Sequence, residues 1–248
     1  MSVTTTATVA PTIVLVHGAW ADASSFAPVT EELQKKGYKV LSAPNPLRGL
    51  ESDARNVAAF VNQHTTGPVV LVGHSYGGSV ITEAAGQIPT VKELVYINAY
   101  APDEGENAIE LSAIQPGSLL AVPDPTTVFD FVRYSGAAPG DVDTYVKSEL
   151  FRKILATNLS KRKASVLATA QSPVALSALQ APTTAVAWRH IRSFFFVGTE
   201  DNAIPPAEQF AMAERAGGVV ESAKAGHLSM LEVPHKVASL IERAAKAD

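Results

Sequence analysis

A serine placed between two glycines is the residue of this chain best suited to nucleophilic chemistry. The segment Gly73-His74-Ser75-Tyr76-Gly77 directly follows a short apolar run at 69–72. A sharp turn from a strand into a helix strains the backbone of its apical residue, and glycines at 73 and 77 remove the Cβ atoms that would collide there. Such a turn lifts the hydroxyl clear of the sheet, above helix N–H groups that can hold an oxyanion. The pattern therefore predicts that Ser75 is a catalytic nucleophile.

A serine hydroxyl needs a general base to take its proton, and His227 is the predicted base. It follows the last predicted strand through Ala225-Gly226 and precedes the final predicted helix, so it lies on a loop at the sheet edge. A purely structural loop histidine is the alternative. The other histidines are expected to hydrogen-bond the backbone, to pack in the turn or to lie at the surface: His17, His64, His74, His190 and His235.

The base needs a carboxylate that fixes its tautomer, and three acidic residues qualify. The loop after the fifth predicted strand carries Glu200 and Asp201, and Asp103 follows the fourth strand. Asp201 is the preferred acid, because the order Ser75, Asp201, His227 is the triad order of folds with this strand–serine–helix turn. Asp201 could instead cap the helix that follows it.

An oxyanion hole needs backbone N–H donors close to the serine. One donor is expected from Tyr76, the residue after the nucleophile. The second is expected from Ala19, in the loop after the first strand, where Gly18 lets the backbone approach closely. Trp20 in the same loop is either a pocket wall or ordinary packing.

Aromatic residues suggest an apolar pocket for the acyl or alcohol part of a substrate. The residues predicted to bind substrate are Trp20, Phe129, Tyr134 and Trp188. Further candidates are Phe131, Tyr145 and Phe151. The alternative is that the aromatic residues within 103–188 pack into the core of that segment and do not contact substrate.

Strands alternate with helices along most of the chain, which indicates an α/β fold with a mostly parallel sheet of about six strands covered by helices on both faces. The predicted strands are 12–16, 38–42, 69–72, 93–98, 193–197 and 219–223. The alternation stops between the fourth and fifth strands, where residues 103–188 are interpreted as a helical cap lobe over the serine; a pair of long crossover helices is the alternative. Residues 11–102 and 189–248 form the predicted core, after a flexible tail at 1–10.

Composition narrows the functional classes. The 248 residues carry a net charge of −4 and contain no cysteine, which excludes disulfides and thiolate chemistry. The acidic balance argues against nucleic acid or an anionic membrane as a partner. No apolar stretch reaches the length of a membrane span, and the first residues do not resemble a signal peptide, so a cytoplasmic enzyme is expected. No metal or cofactor is expected, because zinc-type histidine spacing is absent.

Four segments together resemble the α/β-hydrolase superfamily: Val16-His17-Gly18-Ala19-Trp20, 73–78, Gly198-Thr199-Glu200-Asp201 and 226–230. Within it the chain is similar to a short branch that holds small-molecule carboxylesterases, plant methyl-ester esterases and hydroxynitrile lyases. The lyases of that branch typically have threonine and lysine where this chain has Gly18 and Leu228, which favours an esterase.

The resemblance implies hydrolysis of a small, largely apolar carboxylic ester through an acyl-enzyme, without a cofactor. A lactonase or other acyl-bond hydrolase, a cofactor-free lyase and a non-catalytic ligand-binding member of the fold are alternatives. The expected partner is a small ester or lactone, and the sequence leaves a homodimer open.

Overall fold

Hydrophobic runs of the sequence form the central sheet in a computed structural model that describes residues 10–247. The expected tail at 1–10 lies almost wholly outside the described residues. Within them the strands are β1 (Thr12–Val16), β2 (Val40–Ser42), β3 (Val69–His74), β4 (Val91–Ile97), β5 (Phe129–Val132), β6 (Asp143–Val146), β7 (Val174–Ala175), β8 (Arg192–Gly198) and β9 (Val219–Ala223).

Six of these strands form one parallel sheet in the order β2-β1-β3-β4-β8-β9. Strands β1 and β3 are fully buried, as expected for central strands covered on both faces. The register aligns Val16 with Gly73, and Ile97 with Phe196. The loops that follow these strands therefore meet at the carboxyl edge of the sheet, where ligands bind in open α/β sheets.

Ten α-helices lie within residues 10–247: α1 (Ala27–Lys35), α2 (Leu50–His64), α3 (Tyr76–Ala84), α4 (Ala108–Ile114), α5 (Ser148–Ile154), α6 (Lys161–Thr169), α7 (Leu176–Gln180), α8 (Pro206–Arg215), α9 (Ser229–Glu232) and α10 (Pro234–Ala245). Helix α10 packs on β3, β4 and β8 beside α1, whereas α3 packs on β1 and β3 beside α2. Helices α1 and α10 form one pair and α2 and α3 form another, which fits the predicted sheet with helices on both faces. None of the described helices is long and apolar enough to cross a membrane.

The insertion between β4 and β8 differs from the helical lobe predicted for 103–188. It contains α4 to α7, but also a three-stranded antiparallel sheet in the order β5-β6-β7. Strand β5 pairs with β6 through contacts such as Phe129 with Val146. Aromatic and β-branched side chains favour this extended pairing, and residues 133–142 join the two strands.

Candidate active site

The turn between β3 and α3 carries the strain that the sequence predicted. Ser75 has φ of 53° and ψ of −126°, a conformation that a non-glycine residue rarely adopts. A Cβ atom at Gly73 would lie 2.5 Å from the carbonyl oxygen of Gly77, and one at Gly77 would lie 2.4 Å from that of Val16. Glycine is therefore required on both sides of Ser75.

Ser75, His227 and Asp201 form a continuous hydrogen-bonded line. The Ser75 Oγ atom lies 2.9 Å from His227 Nε2, and His227 Nδ1 lies 2.9 Å from Asp201 Oδ2. All three residues are buried, and each follows a strand of the main sheet. With Nδ1–H donating to the carboxylate, Nε2 is left as an acceptor for the serine proton, which is the arrangement a serine nucleophile needs.

Backbone and side-chain donors hold the Asp201 carboxylate in place. Its Oδ1 accepts hydrogen bonds from the N–H groups of Ala203 and Ile204, at 2.8 and 3.0 Å. Its Oδ2 accepts from the side-chain amides of Asn98 and Gln209, at 2.9 and 2.8 Å. These bonds leave the carboxylate little freedom to rotate away from the imidazole.

The other two acids considered for this position are engaged elsewhere. Glu200 accepts a hydrogen bond from the Asn158 amide at 2.8 Å and lies 3.5 Å from Lys224 Nζ. Asp103 pairs with Arg189 at the surface. Neither of them contacts His227 in the described part of the chain.

Two amides lie beside Ser75 without a hydrogen-bond acceptor among residues 10–247, those of Ala19 and Tyr76. The loop that carries Ala19 is pressed against the serine, because a Cβ atom at Gly18 would lie 2.6 Å from Ser75 Cβ. The phenol of Tyr76 donates to Asp53 Oδ2 at 2.9 Å, which anchors the first residue of α3. Burial raises the pKa of Asp53.

A cavity of about 530 Å³ opens directly above Ser75. Among the described residues, none of those that line it is acidic, basic or a histidine. Most of the lining is apolar and comes from the insertion. Its members include Ala108, Ile109, Ala113, Leu120, Val122, Pro123, Phe129, Phe131, Leu176 and Leu179.

A family model described as the alpha/beta hydrolase family matches residues 13–240. The chain belongs to that family. The superfamily predicted from the sequence is confirmed.

Individual relatives agree with this assignment. An alignment 110 positions long, which covers 40% of this chain and 46% of the other protein, shows 36% identity to a carbendazim hydrolyzing esterase from Nocardioides sp. (strain SG-4G). An alpha/beta hydrolase, nvfD, from Aspergillus novofumigatus is 25% identical over 95% of this chain and 96% of its own length. An extracellular alpha/beta-hydrolase from a Paenibacillus species superposes with a TM-score of 0.77 at 22% identity, covering 96% of this chain and 100% of the other. The last comparison shows the shared fold.

In this hydrolase, the aromatic residues expected at the pocket divide into two groups. Trp20 and Phe129 line the cavity and stack with ring centroids 5.4 Å apart, and Phe131 lines it as well. Tyr134 and Trp188, which were also predicted to bind substrate, do not line it. Tyr134 donates to Asp141 at 2.6 Å, and the Trp188 indole donates to a backbone carbonyl at 2.8 Å.

The remaining candidates, Tyr145 and Phe151, also lie outside the cavity lining. Phe151 is buried, as the alternative of a packed core expects, whereas Tyr145 is half-buried. For the residues of the insertion, sequence cannot separate the two groups, since both consist of aromatic residues within 103–188.

The histidines beside the site have structural partners. His74 is fully buried, and its Nε2–H donates to the carbonyl oxygen of His227 at 3.0 Å. Burial, followed by the neighbouring His227, holds the pKa of His74 well below its ordinary value. His17 Nδ1 lies 3.0 Å from the Gly18 oxygen, and burial lowers the pKa of His17. The predicted surface histidines are exposed: His64, His190 and His235.

Sequence reasoning missed the polar residues that support Asp201. Asn98 has φ of 43°, and its side-chain oxygen accepts a hydrogen bond from Ser229 Oγ at 2.6 Å. A polar residue at the end of a buried strand, next to the predicted site edge, was the available signal for Asn98. Gln209 gives no such signal, because only the packing of α8 brings it to Asp201.

No cluster of three or more metal-ligating side chains occurs between residues 10 and 247.

Proposed function

We propose that this hydrolase cleaves neutral carboxylic esters through a covalent acyl-enzyme formed on Ser75. The observation that carries the proposal is the line from Ser75 Oγ through the His227 ring to Asp201, with 2.9 Å at each step. Esterases among the similar proteins support the same bond type.

In the proposed mechanism His227 takes the proton of Ser75 while Oγ attacks the ester carbonyl. Asp201 holds the ring with Nδ1–H towards itself and stabilises the imidazolium that forms. His227 then gives its proton to the leaving alcohol. Water repeats the attack on the acyl-enzyme and releases the acid, with His227 again acting as base.

The amides of Ala19 and Tyr76 supply the oxyanion hole in this proposal. Both flank Ser75 at the cavity, and their hydrogens are free to bind the negative oxygen of the tetrahedral intermediate. Preorganised donors of this kind stabilise the developing charge without reorganising during the reaction.

The cavity supports an uncharged substrate. A carboxylate or ammonium group that enters an apolar cavity loses its hydration and finds no opposite charge in this lining. A neutral ester with an apolar acyl or alcohol part loses little hydration free energy on entering, and it gains free energy by burying its apolar surface against the wall. A lactone presents the same carbonyl, so lactones belong in the same test.

The test compares wild type with Ser75→Ala on p-nitrophenyl acetate and butyrate, on methyl esters of apolar acids and on a γ-lactone. We expect turnover of at least one class by wild type and a loss of roughly 10⁴-fold or more in Ser75→Ala. Equal rates for the two proteins on every substrate would overturn the proposal. Residence in the cytoplasm stays a prediction of the sequence, and the sequence leaves formation of a homodimer open.

A further inference from the structure

One buried pair of hydroxyls interrupts the apolar wall of the cavity. Tyr100, which follows β4, and Ser112 of α4 both line it, and both are about 5% exposed or less. Tyr100 Oη lies 2.6 Å from Ser112 Oγ, and Ser112 Oγ lies 2.9 Å from the carbonyl oxygen of Ala108.

The direction of these two hydrogen bonds follows from the number of protons. The Ala108 carbonyl can only accept, so it takes the single hydroxyl proton of Ser112. Tyr100 must then donate its own proton to Ser112 Oγ. Burial raises the pKa of Tyr100, so the phenol keeps this proton. Both protons are used inside the protein, and the free lone pair of Tyr100 Oη is an acceptor.

Tyr76, which also belongs to the lining, donates its phenol proton to Asp53 Oδ2 at 2.9 Å. Thr144, the other hydroxyl of the lining apart from Ser75, has its proton engaged as well. Its Oγ1 donates to the carbonyl oxygen of Val174 at 3.0 Å and is approached by the Trp20 indole N–H at 3.3 Å. Gln180, exposed at the rim, can both donate and accept. The buried part of the wall therefore offers acceptors rather than donors.

We propose that the Tyr100–Ser112 pair selects esters that carry an N–H or O–H group away from the reacting carbonyl. This inference rests on ester hydrolysis at Ser75. A substrate donor that enters the cavity loses its bond to water, and only an acceptor in the wall replaces that bond. A substrate that has only an acceptor next to Tyr100 Oη makes no hydrogen bond there, because its lone pair faces the lone pair of the phenol oxygen.

The experiment uses three series of methyl esters of ω-arylalkanoic acids, which differ only in the terminal ring. The ring is 4-hydroxyphenyl (a donor), phenyl (neither donor nor acceptor) or 4-pyridyl (an acceptor alone), and the alkyl length is varied. At the best length we expect wild type to favour hydroxyphenyl over pyridyl by about 3- to 10-fold in kcat/KM, the value of one neutral hydrogen bond.

Two variants test the direction of the bonds. Ser112→Ala removes the internal acceptor and frees the Tyr100 proton to bind the pyridyl nitrogen, so the preference should shift towards pyridyl. Tyr100→Phe should bring the ratio between the two esters close to one. The matched control is Tyr96→Phe, which removes a buried phenol bonded to Thr82 away from the cavity, and it should keep the wild-type ratio.

Each readout is the ratio of kcat/KM for two esters measured with the same protein, so a general loss of activity in a variant does not change it. A wild-type ratio of one at every length, or an unchanged ratio in both Tyr100→Phe and Ser112→Ala, would overturn the inference while hydrolysis still required Ser75. If Ser75→Ala hydrolysed these esters as fast as wild type, the proposed function itself would fail.

Discussion

The floor and the wall of the cavity are built on different principles. The floor is Ser75 together with His227 and Asp201, which support it from behind without lining the cavity; all three lie on loops that follow strands of the main sheet, and hydrogen bonds fix each side chain. The wall comes mainly from the insertion and is apolar, with Ile109 and Phe131 still 40% and 36% exposed. Directional hydrogen bonds suit the catalytic residues, because the reaction slows steeply when the reacting atoms move apart. Apolar contacts instead set the binding affinity of a substrate by the area and shape of the surface that it buries. Changes to the floor should therefore lower kcat, and changes to the wall should mainly alter KM.

The largest effect is expected from Asp201→Asn. The variant keeps the shape of the side chain but offers an N–H to the imidazole or leaves it in the wrong tautomer, so kcat should fall by about 10⁴-fold. Steady-state hydrolysis of a p-nitrophenyl ester measures the loss. Glu200→Gln and Asp103→Asn are the matched controls, and a loss of similar size in either one would move the acid away from Asp201.

Gly18→Ala should act through the oxyanion hole. The new Cβ would lie 2.6 Å from Ser75 Cβ and 2.8 Å from the His74 carbonyl, so the loop must shift and carry the Ala19 amide with it. Loss of one such donor costs about 10²- to 10³-fold in kcat. Gly86→Ala is the control, because a Cβ there meets open space. Equal activity of the two variants would show that Ala19 is not a donor.

Asn98→Ala removes one amide donor from Asp201. Hydrogen bonds to charged groups contribute roughly 1.5–3 kcal/mol, so kcat should fall by about 10- to 100-fold if most of that energy positions the acid. KM for the same ester should change little, because the Asn98 amide bonds to Asp201 and does not line the cavity. An unchanged kcat would make Asn98 a structural residue alone.

His74 should make stability depend on pH. The pKa of His74 in the folded state lies below the ordinary value of about 6.5. Below that pH, His74 is therefore protonated in the unfolded chain but stays neutral in the folded chain. The free energy of unfolding should fall with decreasing pH, by up to about 1.4 kcal/mol per unit for this group. Urea titrations between about pH 7.5 and pH 5.5 should show a shallower fall in His74→Asn than in wild type. The exposed control His190→Asn should retain the wild-type slope, and equal slopes for all three proteins would contradict the assignment.

The smallest effect is expected at the wall. Phe131→Ala removes a half-exposed ring that lines the cavity, so KM for a long apolar ester should rise by a few-fold, with kcat little changed. A fall in kcat as large as that of the Gly18 variant would erase the distinction between wall and floor.

The main sheet could be predicted because its strands are short apolar runs that alternate with helical patterns. Some strand ends differ from the predicted ones by two residues, because the sequence pattern is weak there: β2 begins at Val40 instead of 38, and β4 begins at Val91 instead of 93. The small sheet of the insertion was missed. Its strands β5 and β6 have four residues each, and they are held by pairing rather than by a strong pattern of their own.

The candidate site, too, has a part that could be predicted from the sequence and a part that could not. Ser75, His227 and Asp201 could be placed because parallel strands bring the loops that follow them to one edge of the sheet. The wall could not be placed, since whether an aromatic residue such as Phe129 or Tyr134 faces the cavity depends on packing between distant segments. Tyr100 was missed for the same reason, although only Ala99 separates it from Asn98 in sequence.

The central claim is that Ser75 Oγ becomes covalently acylated, and a p-nitrophenyl phosphonate ester, which loses p-nitrophenolate to the serine and leaves an adduct that resists hydrolysis, tests it most directly. Intact mass and peptide mapping should find one adduct per chain, on Ser75, with activity lost in proportion to labelling, and Ser75→Ala should remain unlabelled. Full labelling at another residue, or full activity after Ser75 is modified, would contradict the account.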